Sequence, residues 1–265
     1  MSIFVMSDIH GCYNEFLCML NKISFSNSDQ LIMAGDYIDR GKQSYEMLKW
    51  IEHAPKNVIL LRGNHEEEFI TYVDLMCHLD KVQNLETDFA SKEDTMALYN
   101  TVRYVFKCHD ILTPCFDVYD TIYNLLSRNM VTLDDLCKWK NRILQMPYYQ
   151  KLRVGDKVCI VVHAGYIEDL DNVDSDFFTL EQFYLYAREE SYQFSGKQNT
   201  VIIAGHTPTI AKGTFAYNNG NVLKYYNKEK NCIFYDIDCG CVFRNREPDA
   251  KLACLCLDNE KIFYV

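Results

Sequence analysis

Short apolar runs recur along the chain, and each ends in a small polar cluster. Ile3–Met6 leads into Ser7-Asp8-Ile9-His10-Gly11, Leu31–Ala34 into Gly35-Asp36, and Val58–Leu61 into Arg62-Gly63-Asn64-His65-Glu66. Val158–Val162 leads into His163-Ala164-Gly165, and Val201–Ala204 into Gly205-His206-Thr207. Apolar runs of this length bounded by glycine predict buried strands. Tyr13–Ile23 carries Phe16, Leu17, Leu20 and Ile23 at helical spacing, and Ser44–Ile51 repeats the pattern with Tyr45, Leu48 and Ile51. Strand, polar turn, helix and strand in succession is the βαβ pattern of an α/β fold.

From Glu66 to about Tyr149 the pattern changes to a long polar-aromatic stretch of helical period, with Thr132-Leu133-Asp134-Asp135 as a helix N-cap sequence. It predicts a helical cap inserted at about residues 70–150 of one domain spanning 1–265. From Asn231 onward the pattern predicts paired strands at Ile233–Ile237, Leu252–Leu257 and Ile262–Val265. No repeat or Pro/Gly-rich linker divides the chain.

Composition narrows the partners. The 265 residues are 48% hydrophobic and 24% charged, enough apolar material for a sizeable core. The formal net charge of −10 disfavours a long nucleic acid, whose binding rests on Lys and Arg neutralising phosphates. A small phosphorylated substrate stays compatible, since a few local cations can reverse the sign at a site. The first residues show neither a basic leader nor a signal-length apolar run, and no stretch approaches a membrane span. The expectation is a cytoplasmic protein in a reducing compartment. There, most of the twelve cysteines act as small hydrophobes. The C-x-C pairs Cys239/Cys241 and Cys254/Cys256 would each place both sulfurs on one strand face. Core packing is the expectation for them, with a four-thiolate zinc site as the alternative.

The polar clusters carry the chemistry. All follow the C-terminal ends of predicted strands, the edge at which open α/β sheets bind ligands. Together they supply Asp8, His10, Asp36, Asn64, His163 and His206, a mixed O/N donor set suited to Mn²⁺, Fe or Zn²⁺ rather than Ca²⁺. Singly, each residue reads as a cap or turn. Jointly, with glycines at 11, 35, 41, 63, 165 and 205 leaving room for tight turns, they predict a binuclear metal site.

Asp8-Ile9-His10-Gly11, Gly35-Asp36-Tyr37-Ile38-Asp39-Arg40-Gly41 and Gly63-Asn64-His65-Glu66 resemble the signature blocks of phosphoprotein phosphatases, metal-dependent Ser/Thr phosphatases within the calcineurin-like metallophosphoesterases. His163-Ala164-Gly165, Gly205-His206-Thr207-Pro208, Tyr186-Ala187-Arg188-Glu189 and Tyr235–Gly240 resemble later blocks of the phage and bacterial branch. Ser7 and Ala164 replace glycines of the eukaryotic pattern, no arginine precedes His206, and Tyr186 and Ala187 depart from the phage form. The resemblance implies a β-sandwich of two mixed sheets flanked by helices. It implies that Asp8 and His10 hold one cation, that Asp36 bridges, and that Asn64, His163 and His206 hold the second. Arg40 and Arg188 would grip the phosphate, and His65, oriented by Asp39, would protonate the leaving group. Arg62 would assist the phosphate or brace its loop.

Two divalent cations, Mn²⁺ by expectation, would sit about 3.5–4 Å apart and lower the pKa of a bridging water. The hydroxide could then attack phosphorus in line with the leaving oxygen. The leading expectation is a Ser/Thr protein phosphatase acting on a phosphorylated protein or a small phosphoester. A dinucleoside polyphosphate or nucleotide hydrolase is the alternative, since the same centre serves both and the cap could cover a small substrate. A non-catalytic metal-binding adaptor would show decay of the proton donor, and both His65 and Asp39 are present.

Overall fold

The computed structural model describes residues 1–82, 92–109, 116–128, 131–170, 177–195, 198–210, 215 and 218–265. In chain order the first half contains β1 (Ile3–Met6), α1 (Tyr13–Lys22), β2 (Gln30–Met33), α2 (Ser44–Glu52), β3 (Val58–Leu60), α3 (Asn64–Val82), α4 (Lys92–His109), α5 (Phe116–Arg128) and α6 (Leu133–Leu144). The second contains β4 (Tyr149–Val154), β5 (Lys157–Val162), α7 (Leu180–Tyr186), α8 (Glu189–Phe194), β6 (Thr200–Ala204), β7 (Leu223–Asn227), β8 (Cys232–Asp236), β9 (Ala253–Cys256) and β10 (Ile262–Tyr264).

The strands form two five-stranded mixed sheets, ordered β10-β9-β1-β2-β3 and β4-β5-β6-β8-β7. Within the first, β1, β2 and β3 run parallel, as the two βαβ units require. Within the second, β5, β6 and β8 run parallel. Period-two alternation decides what each face meets. Val5, Ile32, Leu255, Cys159, Val161, Ile203 and Tyr235 pack between the sheets. Phe4, Met6, Leu31, Met33 and Leu60 face the other way, against helices including α1, α2 and α3. Ile160, Val162, Ile202 and Phe234 cover the outer face of the second sheet beneath α7. Each fully buried Leu, Ile, Val or Phe contributes roughly 1.5–3 kcal/mol, so three apolar layers hold the parallel strand ends in place.

The segment between β3 and β4 is helical where it is described, and Thr132 closes a capping box with Asp135 at the start of α6. Residues 83–91, 110–115 and 129–130 of the predicted insertion lie outside the described residues. Helix α3 starts at Asn64, so the third polar cluster is the first turn of a helix rather than a loop before one. Two edge strands escaped the pattern. β4 and β7 are largely exposed and polar, so neither carries the apolar run that marks an interior strand. The expected pairing of the C-terminal strands is also redistributed. β8 lies between β6 and β7 in the second sheet, whereas β9 pairs with β1 and β10 in the first.

The cysteine pairs behave differently from each other. Cys254 and Cys256 share a face of β9 and pack into the helix-side core. Cys239 and Cys241 do not share a strand face. Gly240 turns left-handed between them at φ 74°, and Cys241 opens a 3-10 turn at Cys241–Phe243. Among the described residues no cluster of cysteines with metal-ligand spacing occurs.

Candidate metal centre

The parallel strand ends of both sheets meet at one edge, where the predicted clusters converge. After β1 the chain is clipped to the loop after β2: Asp8 N–H donates to Gly35 O at 3.1 Å, His10 N–H to Asp36 O at 2.9 Å, and Gly11 N–H to Tyr37 O at 2.8 Å. The two sheets are joined by His163, whose Nδ1–H donates to Ala34 O at 2.8 Å. That bond orients the ring and turns Nε2 inward, towards Asp36 and Asn64. His10 is fixed in the same way by Nδ1–H donation to Ile38 O at 2.9 Å.

Asp36 is the hub. Its Oδ2 lies 3.4 Å from His10 Nε2 and 3.8 Å from His65 Nε2, and its Oδ1 lies 3.4 Å from His163 Nε2. Asn64 Oδ1 stands 3.0 Å from both His163 Nε2 and His206 Nδ1. Among the described residues, the ligand atoms of His10, Asp36 and His65, and those of Asp36, His163 and His206, fall in two groups, each within 4.8 Å. Asp36 belongs to both. Asp8 lies beside these groups, its carboxylate accepting the His206 N–H at 3.0 and 3.2 Å. A Cβ at Gly205 would collide with Asp8 Oδ2 and Ser7 Oγ, so this approach requires glycine.

Backbone conformation marks the same place. Asp8, His10, Asp36, Asp39, Arg40 and His206 all have positive φ, between 45° and 71°. Each such non-glycine residue costs about 1–3 kcal/mol and persists only where the surroundings impose it. Part of the restraint comes from Glu66, which is buried. Its Oε2 accepts from Asp36 N–H at 2.8 Å and Gly63 N–H at 3.0 Å, and its Oε1 from Tyr37 N–H at 2.9 Å. Burial, followed by the nearby Asp36, pushes its carboxyl up to about 8. Glu66 appeared in the sequence only as the end of a signature block. Its position three residues after Gly63, in the first turn of a helix, was the available signal.

The electrostatics separate donors from acid. Burial works to raise Asp36, yet the imidazoles around it, His163 foremost, hold it well below the usual carboxylate range. Burial drives His10 down to about 3 against the pull of Asp36. Burial and then His163 lower His206 as well. An ionised Asp36 beside His10 and His206, whose burial disfavours a proton on either ring, suits a divalent cation. Burial lifts Asp8 to about 6, and Asp36 adds to the rise; a cation between the two carboxylates would relieve both costs. The donors therefore fit a pair of divalent cations. His65 goes the other way. Burial opposes its charge, but Asp36 and then Asp39 outweigh it and carry the imidazole up to about 9. Its Nδ1–H donates to Asp39 Oδ2 at 2.6 Å. A protonated His65 is an acid rather than a ligand, although it lies close enough to be counted as one.

The three candidate arginines occupy different settings. Arg40 bridges the site and the helical segment: Nη1 lies 2.9 Å from His10 Nε2, and Nε donates to Asp117 Oδ2 on α5 at 3.0 Å. Arg188, between α7 and α8, is exposed and directs Nη1 to His206 O at 3.5 Å. Arg62 is buried, with donors committed to Glu67 at 2.9 Å, Tyr148 Oη at 3.1 Å and Leu144 O at 2.9 Å. Beneath the site, buried Asp236 and Asp238 accept backbone N–H groups at 2.9 and 2.8 Å. Burial raises both carboxyls well above their usual range.

Two layered mixed sheets, a carboxylate shared by two potential ligand groups and the adjacent His65–Asp39 pair thus converge at one edge. The family model for calcineurin-like phosphoesterases matches residues 1–235, and the chain belongs to that family. A bis(5'-nucleosyl)-tetraphosphatase (symmetrical) of Buchnera aphidicola subsp. Acyrthosiphon pisum (strain Tuc7) is 38% identical over 104 residues, covering 39% of this chain and 38% of the relative. Little more than a third of that relative's length is thus matched. Two solved structures share the fold. A metallophosphoesterase from Sphaerobacter thermophilus aligns at a TM-score of 0.53 with 13% identity, covering 100% of this chain and 86% of its own. A protein serine/threonine phosphatase from Saccharomyces cerevisiae aligns at 0.53 with 11% identity, covering 100% and 79%. These two likenesses show the fold alone, while the Buchnera relative is named a tetraphosphatase of nucleotides rather than a protein phosphatase. Among the described residues no helix is long and apolar enough to cross a membrane.

Proposed function

We propose that this chain hydrolyses dinucleoside polyphosphates at a centre of two divalent cations, cutting a tetraphosphate bridge symmetrically to give two nucleoside diphosphates. The reaction class rests on one observation above the rest: the two ligand groups meet at the ionised carboxylate of Asp36. The substrate class rests on the similarity to symmetrical bis(5'-nucleosyl)-tetraphosphatases. That similarity favours the nucleotide reading over the phosphoprotein reading that the signature blocks alone suggested.

In this proposal Asp8, His10 and Asp36 hold one cation, and Asp36, Asn64, His163 and His206 the other. Bound cations of this kind polarise phosphoryl oxygens and lower the pKa of bound water. Mn²⁺ suits the O/N donor set, as do Fe and Zn²⁺. Asp39 holds His65 protonated and aimed past Asp36, so that its Nε2–H can reach the departing oxygen. Arg40, steadied by Asp117, offers its guanidinium to the phosphoryl oxygens at the His10 side, and Arg188 does so at the His206 side. Arg62 acts as a brace, because its donors tie the start of α3 to the end of α6. The test is turnover by the manganese-loaded protein on diadenosine tetraphosphate and on phosphoserine peptides, side by side. Faster cleavage of the nucleotide supports the reading, and release of phosphate from peptides alone would overturn it.

A further inference from the structure

The proposed function leaves open where the half of the substrate that departs is held. A cleft of about 780 Å³ opens beside Arg40 and Gly11, next to the His10 loop. Its volume is within the ordinary range for small-molecule sites. Its walls come from the turn into α1, the loop before α2, Asp117 of α5 and the segment between β8 and β9. They carry Arg40, Lys42, Arg244 and Arg246 against one carboxylate, Asp117. A chain with a formal net charge of −10 thus concentrates cations at one cleft, at the edge of its metal centre.

The cations are not equivalent. Arg40 is tied to Asp117, and Arg244 is held by Glu15 at 2.5 Å, which fixes its direction and spends part of its charge. Lys42 and Arg246 are exposed, and among the described residues neither has an ion-pair partner. Phe243, half-buried, lines the same cleft and adds an aromatic ring to it. The cleft thus combines a guanidinium touching His10, two cations without an ion-pair partner among the described residues, and an aromatic ring. Charge-assisted contacts to phosphate oxygens and stacking on a base use those groups.

We infer that this cleft is the subsite for the departing nucleoside diphosphate, with Lys42 and Arg246 gripping its phosphates and Phe243 packing against its base. The inference rests on the proposed tetraphosphatase activity. It assigns substrate selectivity to the segment between β8 and β9, outside both ligand groups.

The test is steady-state kinetics of the manganese-loaded protein on diadenosine tetraphosphate, with inhibition by ADP and by pyrophosphate. Lys42→Ala and Arg246→Ala should each raise KM and the ADP inhibition constant about tenfold, with kcat held within about twofold. Lys42→Arg and Arg246→Lys should restore affinity, which loss of fold would not allow. Phe243→Ala should weaken ADP but not pyrophosphate. Unchanged KM in both alanine variants, with intact wild-type cleavage, would overturn the subsite alone. No cleavage of the tetraphosphate by the wild-type protein would instead overturn the functional reading on which the subsite rests.

Discussion

The Nδ1–H of His65 donates to Oδ2 of Asp39 across 2.6 Å, with both side chains buried. Together with the charge of Asp36, this contact favours a proton on an imidazole whose burial alone would expel it. It also leaves Nε2–H free to act on a leaving oxygen.

Replacing His65 with Asn removes that proton. Turnover on alkyl phosphates, whose leaving groups need protonation, should fall by roughly 10²–10⁴-fold. The loss on p-nitrophenyl phosphate, and on a nucleoside diphosphate leaving group, should be much smaller. Rates on the three substrates, with metal content measured in parallel, check this; equal losses would remove His65 from the role of acid.

The pH profile follows from the same pair. His65 sits raised, to about 9, so the active protonated form is present below that value and lost as pH rises through it. Cations held at Asp36 would weaken its pull on His65 and would leave Asp39 as the main support. Asp39→Asn should therefore move the alkaline limb of kcat/KM for alkyl phosphates to lower pH, and His65→Asn should abolish that limb.

Asp36→Asn should reduce bound metal from two cations, because both ligand groups depend on that carboxylate. Saturating Mn²⁺ at about 100 times its dissociation constant should stabilise the chelator-treated wild type by about 2.7 kcal/mol per site. The variant should show a clearly smaller rise in Tm, with calorimetry and metal analysis as the readouts.

Glu66 predicts a structural loss with a functional consequence. Its two oxygens receive three backbone N–H groups, from Asp36, Tyr37 and Gly63. An amide can accept with only one end, so Glu66→Gln leaves at least one N–H without a partner, at about 1–3 kcal/mol. Chemical denaturation should register that loss, and metal affinity should fall with it, since the strained Asp36 loop is what these bonds hold.

Glu260 gives an acid-stability prediction far from the centre. It binds Lys157 at 2.8 Å, Lys224 at 2.7 Å and Tyr235 Oη at 2.8 Å, tying the β9–β10 turn to the second sheet. The hydrogen bond from Lys157, then those from Lys224 and Tyr235, bring its carboxyl from the usual 4.5 to about 2. A depressed carboxylate contributes stability that is present above the unfolded value and is lost as pH falls. The window is therefore from about 4.5 down to about 2. Glu260→Gln should unfold more readily at neutral pH and lose less between those limits than the wild type.

Interior strands and the candidate ligands beside them were legible because each writes a local signal. An apolar run followed by Gly-Asp or by Gly-Asn-His reads as a strand end with chemistry on it, and Asp36, Asn64 and His206 stand at such ends. β4 and β7 were not legible, because an edge strand alternates polar and half-buried residues without such a run. The partner of Arg40 was hidden for another reason: Asp117 is 77 residues away, and only the packing of α5 brings it near. Arg62 shows the limit most clearly. Its place beside the signature block fits either phosphate binding or bracing, and only the carbonyls at and just past the end of α6 that meet its guanidinium favour one of them.

The central claim is tested most directly by the products of one reaction. Manganese-loaded protein is incubated with diadenosine tetraphosphate, and the nucleotides are separated by anion exchange. The proposed centre predicts ADP as the nucleotide product, two per substrate consumed, with no activity after chelation and its return on adding Mn²⁺. An uncut tetraphosphate in the presence of a phosphoserine peptide that is dephosphorylated, or cleavage that survives removal of metal, would contradict it.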